Sequence, residues 1–148
     1  MITNFKIFET YMKKYGNQSK FSKKPIALAF KDLFEEYYTV KLFNFYSLIR
    51  IESAESYIGY IQMHADYNSN DSFDITFSDF VHCYLDFYEF FKDFLDNANI
   101  KYTLTEDEYD KNDHIFEFRK KNINEIARVI TSMKDDFRTY VYAKKYNL

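Results

Sequence analysis

A chain of 148 residues that is 47% hydrophobic and 22% aromatic, with 17 Phe and 15 Tyr, carries enough apolar surface to close one core, which excludes a disordered chain. A single cysteine, Cys83, excludes an internal disulfide framework and multi-cysteine zinc or iron-sulfur sites, and only two glycines, Gly16 and Gly59, exclude a P-loop and a dinucleotide fingerprint. The formal net charge of −3 counts against general polyanion binding.

One domain spanning 1–148 is the expectation from this length. Lys6, Glu9, Lys13 and Lys14 interrupt the first fifteen residues, so no signal peptide is expected there, and no uncharged window approaches the ~18 residues of a membrane span. These features and the lone cysteine point to a cytoplasmic protein with no membrane contact. Abundant Phe, Lys, Tyr, Ile and Asn against 4 Arg and no Trp follow A/T-rich codons. That bias fits a low-GC bacterium, a virus or a phage, with the host cell's cytoplasm as the location in the viral case.

Phe5, Phe8, Tyr11, Met12 and Tyr15 recur at helical spacing behind Thr3 and before Gly16, predicting a helix over 4–15. Pro25 sits well in a first turn, and Ile26, Ala29, Phe30, Leu33 and Tyr37 continue a helix over 25–38. The stretch 39–51 is apolar on both alternating faces and suits one central strand, although period alone does not separate it from a helix. Alternation then predicts strands over 57–67 and 72–77, joined by a turn at Asn68-Ser69-Asn70-Asp71. Ser78 is a candidate cap for a helix over 79–97, strands follow at 100–105 and 114–120, and a last helix covers 122–142. That last helix opens on Asn122 and Glu125 as a capping-box variant, with Ile123, Ile126, Ile130, Met133, Phe137 and Tyr140 on one side.

Short connections between strands favour an α+β domain with a mostly antiparallel sheet of about five strands covered by helices. The order strand, helix, strand, strand, helix over 73–140 is that of a ferredoxin-like split unit without its last strand. Order of this kind speaks to fold and leaves activity open.

The helix over 79–97 carries the clearest functional signal. At 100° per residue, Asp79, His82, Asp86, Glu89, Asp93 and Asp96 fall within an arc of about 100°, opposite Phe80, Cys83, Tyr84, Phe87, Phe90, Phe91, Phe94 and Leu95. The rings read as core. Five carboxylates on one stripe repel one another, and only Lys92 lies on the same helix to offset them. Charge is also segregated along the chain, with nets of +5 over 1–50, −2 over 51–65, −10 over 66–113 and +4 over 114–148. A solvated face balanced by Lys20, Lys23, Lys24, Lys144 and Lys145 is one account of this layout. An acidic surface that docks a basic partner is the other.

Strong enzyme motifs are missing: no G-x-S-x-G, H-E-x-x-H or C-x-x-C occurs. His82, Asp86, Glu89 and Asp93 could offer carboxylate and imidazole ligands, but they lie opposite the core rings, so neither a metal nor a cofactor is expected. The loop Glu106, Asp107, Glu108, Asp110, Asn112 and Asp113 lacks the glycine and terminal Glu of a calcium loop. His64 and His114 fall in predicted strands as structural side chains, without a neighbouring nucleophile in sequence. Two short basic and aromatic clusters, Lys20, Phe21, Lys23, Lys24 and Phe116, Phe118, Arg119, Lys120, Lys121, are the features that would serve nucleic acid.

We therefore expect a non-enzymatic interaction module, such as an inhibitor, an immunity or anti-defence factor, or a virion component. Its partner-binding residues would be Asp79, Asp86, Glu89, Asp93, Asp96, Glu106, Asp107, Glu108 and Asp110, facing a basic protein surface. A nucleic-acid-binding domain acting through the basic N- and C-terminal segments is the first alternative, and a carboxylate-based metal-dependent enzyme is the second. Catalytic residues and oligomeric state are not readable from the chain.

Overall fold

A computed structural model of the protein describes residues 22–53, 57–65, 71–78, 87–106 and 113–146. The expected helix over 4–15, the Asn68–Asn70 turn, Cys83, and the first half of the helix over 79–97 lie outside these residues. In chain order the elements are α1 (Lys24–Phe34), β1 (Thr39–Phe43), β2 (Leu48–Glu52), β3 (Tyr57–Ala65), β4 (Ser72–Ser78) and α2 (Phe87–Asn97). There follow β5 (Thr103–Glu106), β6 (His114–Arg119), a 3₁₀ turn (Lys120–Asn122), α3 (Ile123–Ser132) and α4 (Lys134–Lys145).

All six strands pair antiparallel in the order β1-β2-β3-β4-β6-β5. The architecture is therefore the α+β sheet covered by helices that patterning leads one to expect, with six strands in place of about five. Because β4 and β5 both run antiparallel to β6, they are parallel to each other with β6 between them. Helix α2 joins them, which realises the split strand-helix-strand unit.

The period-two pattern aims Ile49, Ile51, Ile61, Met63, Phe73, Ile75, Phe77, Phe116 and Phe118 at the helices, and all are buried. From the helical side come Phe30 and Phe34 of α1, Phe87 and Phe91 of α2, and Phe137 of α4, also buried. Phe87 stands at the centre of this layer. Its ring centroid lies 4.8 Å from Phe34, 5.6 Å from Phe77, 5.7 Å from Phe137 and 6.2 Å from Phe30. Such pairs add about 0.5–1.5 kcal/mol each beyond the area they bury.

Several boundaries differ from expectation. The stretch 39–51 is two strands and not one, because Asn44, Phe45 and Tyr46 all take positive φ, at 52°, 53° and 69°. They reverse the chain without a glycine or proline to announce the turn. The Ser47 N–H and hydroxyl both donate to the Asn44 carbonyl, at 3.1 and 2.6 Å, and the Lys24 ammonium sits 5.7 Å from the Tyr46 ring centre. The last helix, expected as one rod over 122–142, is divided at Met133, whose N–H reaches Ile130 O at 3.2 Å. The Asn122 side chain makes no capping hydrogen bond, since a 3₁₀ turn leads into α3 where a capping box was expected. Helix α1 also stops at Phe34, with Tyr37 and Tyr38 in the turn that follows it.

Left-handed backbone costs a non-glycine residue about 1–2 kcal/mol, and Phe45, 97% exposed, recovers none of it by burial. Phe45→Gly should therefore raise stability by about 0.5–1 kcal/mol after the glycine's greater unfolded-state freedom is subtracted. Phe87→Ala should lower it by about 3–5 kcal/mol. Urea midpoints at constant slope check both, and a destabilised Phe45→Gly variant would show that the hairpin is not strained in this way.

Candidate functional site

Helix α2 is amphipathic over its whole described length. Phe87, Phe91 and Leu95 are buried, Phe90 and Phe94 half-buried, and Glu89, Lys92, Asp93 and Asp96 exposed. At 100° per residue the three carboxylates share an arc of about 60°. Half of the outward acidic row expected from sequence is thus in place, while Asp79, His82 and Asp86 lie outside the described residues. So do Asp107, Glu108 and Asp110. Glu106 closes β5, and the register sets both Glu106 and Phe77 opposite His114. The anchors of the acidic loop therefore lie at the sheet end where β4 finishes.

Glu89 and Asp96 are held differently. The Glu89 carboxylate accepts a 3.2 Å hydrogen bond from the hydroxyl of Tyr88. The Tyr88 ring in turn stacks on the buried His114 at 3.6 Å and 9°, so His114 acts as a packing residue here. Asp96 lies in the last turn, which has no basic side chain and where the dipole disfavours an anion.

A phenol meets that carboxylate. Helix α2 ends with Asn99 at φ 57°, the Ile100 N–H on Leu95 O at 3.0 Å, and the Asn99 N–H on Asp96 O at 3.1 Å. This is a Schellman closure with asparagine in the usual glycine place. The reversal carries Tyr102 back under the helix, where its hydroxyl donates to Asp96 Oδ1 at 2.6 Å. Burial, then the hydrogen bond to Asp96 and the charges of Asp96 and Asp93, push the Tyr102 phenol up to about 12 from 10.0.

Among the described residues, the ion pairs are Lys31–Glu35, Lys41–Glu52, Arg50–Glu52, Lys134–Asp32 and Arg138–Glu36. None of these reaches Glu89, Asp93 or Asp96. The stripe is shaped by tyrosines, which leave its charge intact, and no described lysine or arginine neutralises it. Also among the described residues, no group of three or more His, Cys, Asp or Glu is placed to hold a metal ion. No described helix is long and apolar enough to cross a membrane.

A second charged feature escaped the sequence as an assembled site. A polar cleft of about 400 Å³ opens where β4 and β5 begin and β6 ends, lined by Asp71, Ser72, Lys101, Thr103, Glu117 and Arg119 and walled by Tyr102 and Phe118. A recess of about 250 Å³ continues it past Asp71 and Arg119 to Lys120 and Lys121. The basic run Arg119 to Lys121 is visible in sequence, but its meeting with Lys101 and Asp71 depends on strand pairing.

No protein family, curated protein or solved structure matches this chain.

Because the raised Tyr102 ionisation opposes deprotonation in the folded state, the stability it contributes is fully present below about pH 10 and is lost as the pH rises toward 12. Absorbance titration near 295 nm should show a phenol ionising last, absent in Tyr102→Phe and moved down in Asp96→Asn. An unchanged curve in both variants would remove the Tyr102–Asp96 bond from the account.

Proposed function

We propose that this chain is a non-enzymatic protein-interaction module that presents the outward face of α2 to a basic protein surface. One observation carries it: Glu89, Asp93 and Asp96 stand exposed on one arc of a helix whose opposite face is locked into the ring core, and no described cation closes on them. A rigid helix that holds like charges in a row does so at a cost of a few tenths of a kcal/mol per pair. A cationic partner turns that cost into attraction and speeds encounter at low salt.

The face suits recognition better than chemistry. Catalytic carboxylates are held in clefts where environment drives their ionisation apart, whereas these three are exposed on a convex helix. Asp79 and Asp86, and the loop residues Glu106, Asp107, Glu108 and Asp110, extend the acidic surface in this reading. An inhibitor, an immunity or anti-defence factor, or a virion component would each use such a surface against a basic target.

The test is capture of proteins from the source cell on the immobilised full chain, with mass spectrometry of what is retained. The wild-type protein should retain a basic protein whose binding weakens with salt. Glu89→Lys with Asp93→Lys should lower retention about tenfold or more at an unchanged melting temperature. Equal retention by the double variant, or a retained set with no basic bias, would end the proposal.

A further inference from the structure

We infer that the cleft at the start of β4 and β5 and the end of β6, which adjoins the acidic face of α2 at Tyr102, is a binding site for a phosphate group. The pleat builds it. Phe73, Phe116 and Phe118 point into the helices, so their strand neighbours Ser72, Glu117 and Arg119 point to the opposite side of the sheet. The register then sets Ser72 opposite Arg119 and Thr103 opposite Glu117. Two hydroxyls and a guanidinium thereby line one concave wall.

Backbone holds the basic turn in place. The Lys120 N–H donates to Asp71 O at 2.8 Å, fastening the 3₁₀ turn to the start of β4. Arg119 and Lys121 are exposed beside it, and Lys101 is exposed across the cleft. None of these three is in an ion pair among the described residues. The turn leads directly into α3, whose N-cap side chain makes no capping bond, so the positive end of that helix dipole adds to the field.

The charge count selects the ligand class. Lys101, Arg119, Lys120 and Lys121 against Asp71 and Glu117 leave four positive and two negative groups, a net of +2. A phosphate dianion matches that net, and its three acceptor oxygens can serve a guanidinium fork, ammonium groups and the Ser72 and Thr103 hydroxyls together. A carboxylate brings one charge and two oxygens and leaves part of the donor set unused. The volume is in the range of small-molecule sites, so the phosphate can be the free ion or the monoester of a nucleotide.

The experiment titrates the isotopically labelled full chain at low salt with inorganic phosphate, a nucleoside monophosphate, a short oligothymidylate and a hexaglutamate peptide, following backbone amide shifts. Saturable shifts at Ser72, Thr103, Arg119 and Lys121 are expected with inorganic phosphate or the monophosphate. Arg119→Gln and Lys121→Gln should each weaken that binding about tenfold or more, and Lys41→Gln, on the far edge of the sheet, should leave it unchanged. Response to the monophosphate alone assigns the phosphate to a nucleotide, and response to inorganic phosphate as well assigns it to the free ion; either upholds the site. Silence with both of these probes, or response to the oligonucleotide alone, whose diesters carry one charge and two free oxygens, overturns it, as does hexaglutamate binding equally well or Lys41→Gln weakening binding as much as Arg119→Gln. Arg119→Lys keeps the charge without the fork, and its partial loss separates a lost contact from a misfolded variant.

Discussion

Phe87 is the side chain through which the layers of this protein are joined. Its ring touches Phe30 and Phe34 of α1, Phe77 of β4 and Phe137 of α4, so one residue of α2 fixes that helix against three other elements. With Phe91 and Leu95 following at helical spacing, the rotation of α2 about its own axis is set by burial. Every residue on the other side is then committed to solvent. The outward position of Glu89, Asp93 and Asp96 is therefore a consequence of ring packing, and no local charge interaction is needed to produce it.

The same topology separates the two signs of charge. Helix α2 runs from the sheet end marked by Phe77 and His114 to the end where β5 begins, and the Schellman turn at Asn99 delivers Tyr102 to Asp96 there. Lys101, next to Tyr102, already belongs to the basic cleft. Acidic helix face and basic cleft thus meet at one residue pair, Lys101 and Tyr102. A nearly neutral total charge conceals this arrangement, and the segmental nets of −10 and +4 over 66–113 and 114–148 anticipate only its sequence projection.

Most of the architecture was legible because burial writes period two into strands and 3.6 into helices. Phe73, Ile75 and Phe77 could belong only to a strand with one buried face, and the ring face of α2 only to a packed helix. The β1–β2 turn was illegible because Asn44, Phe45 and Tyr46 hold left-handed backbone without glycine, against the usual turn chemistry. The break at Met133 was hidden for the opposite reason: Ile126, Ile130, Met133 and Phe137 keep the helical period straight across it. As for the sites, the exposure of Glu89, Asp93 and Asp96 follows from one helix and was readable. The cleft joins residues 71, 101 and 119, which only the pairing of β4, β6 and β5 brings together.

The strained hairpin bears on how tightly the ends of the sheet are specified. Three consecutive left-handed residues persist only where their surroundings over-determine them. Here the Ser47 clasp on Asn44, the Ser47 carbonyl accepting from the Met63 N–H at 2.8 Å, and Lys24 over the Tyr46 ring supply that constraint. The turn is tied to both β3 and α1, so its geometry fixes the register of β1 on β2, an edge pairing that would otherwise be free to slip by two residues. Lys41 at the middle of that edge strand, paired with Glu52, places a charge where another chain's strand would have to add. Among the described residues, side-chain charge and a turn that allows no other register thus work together against strand addition at the β1 edge.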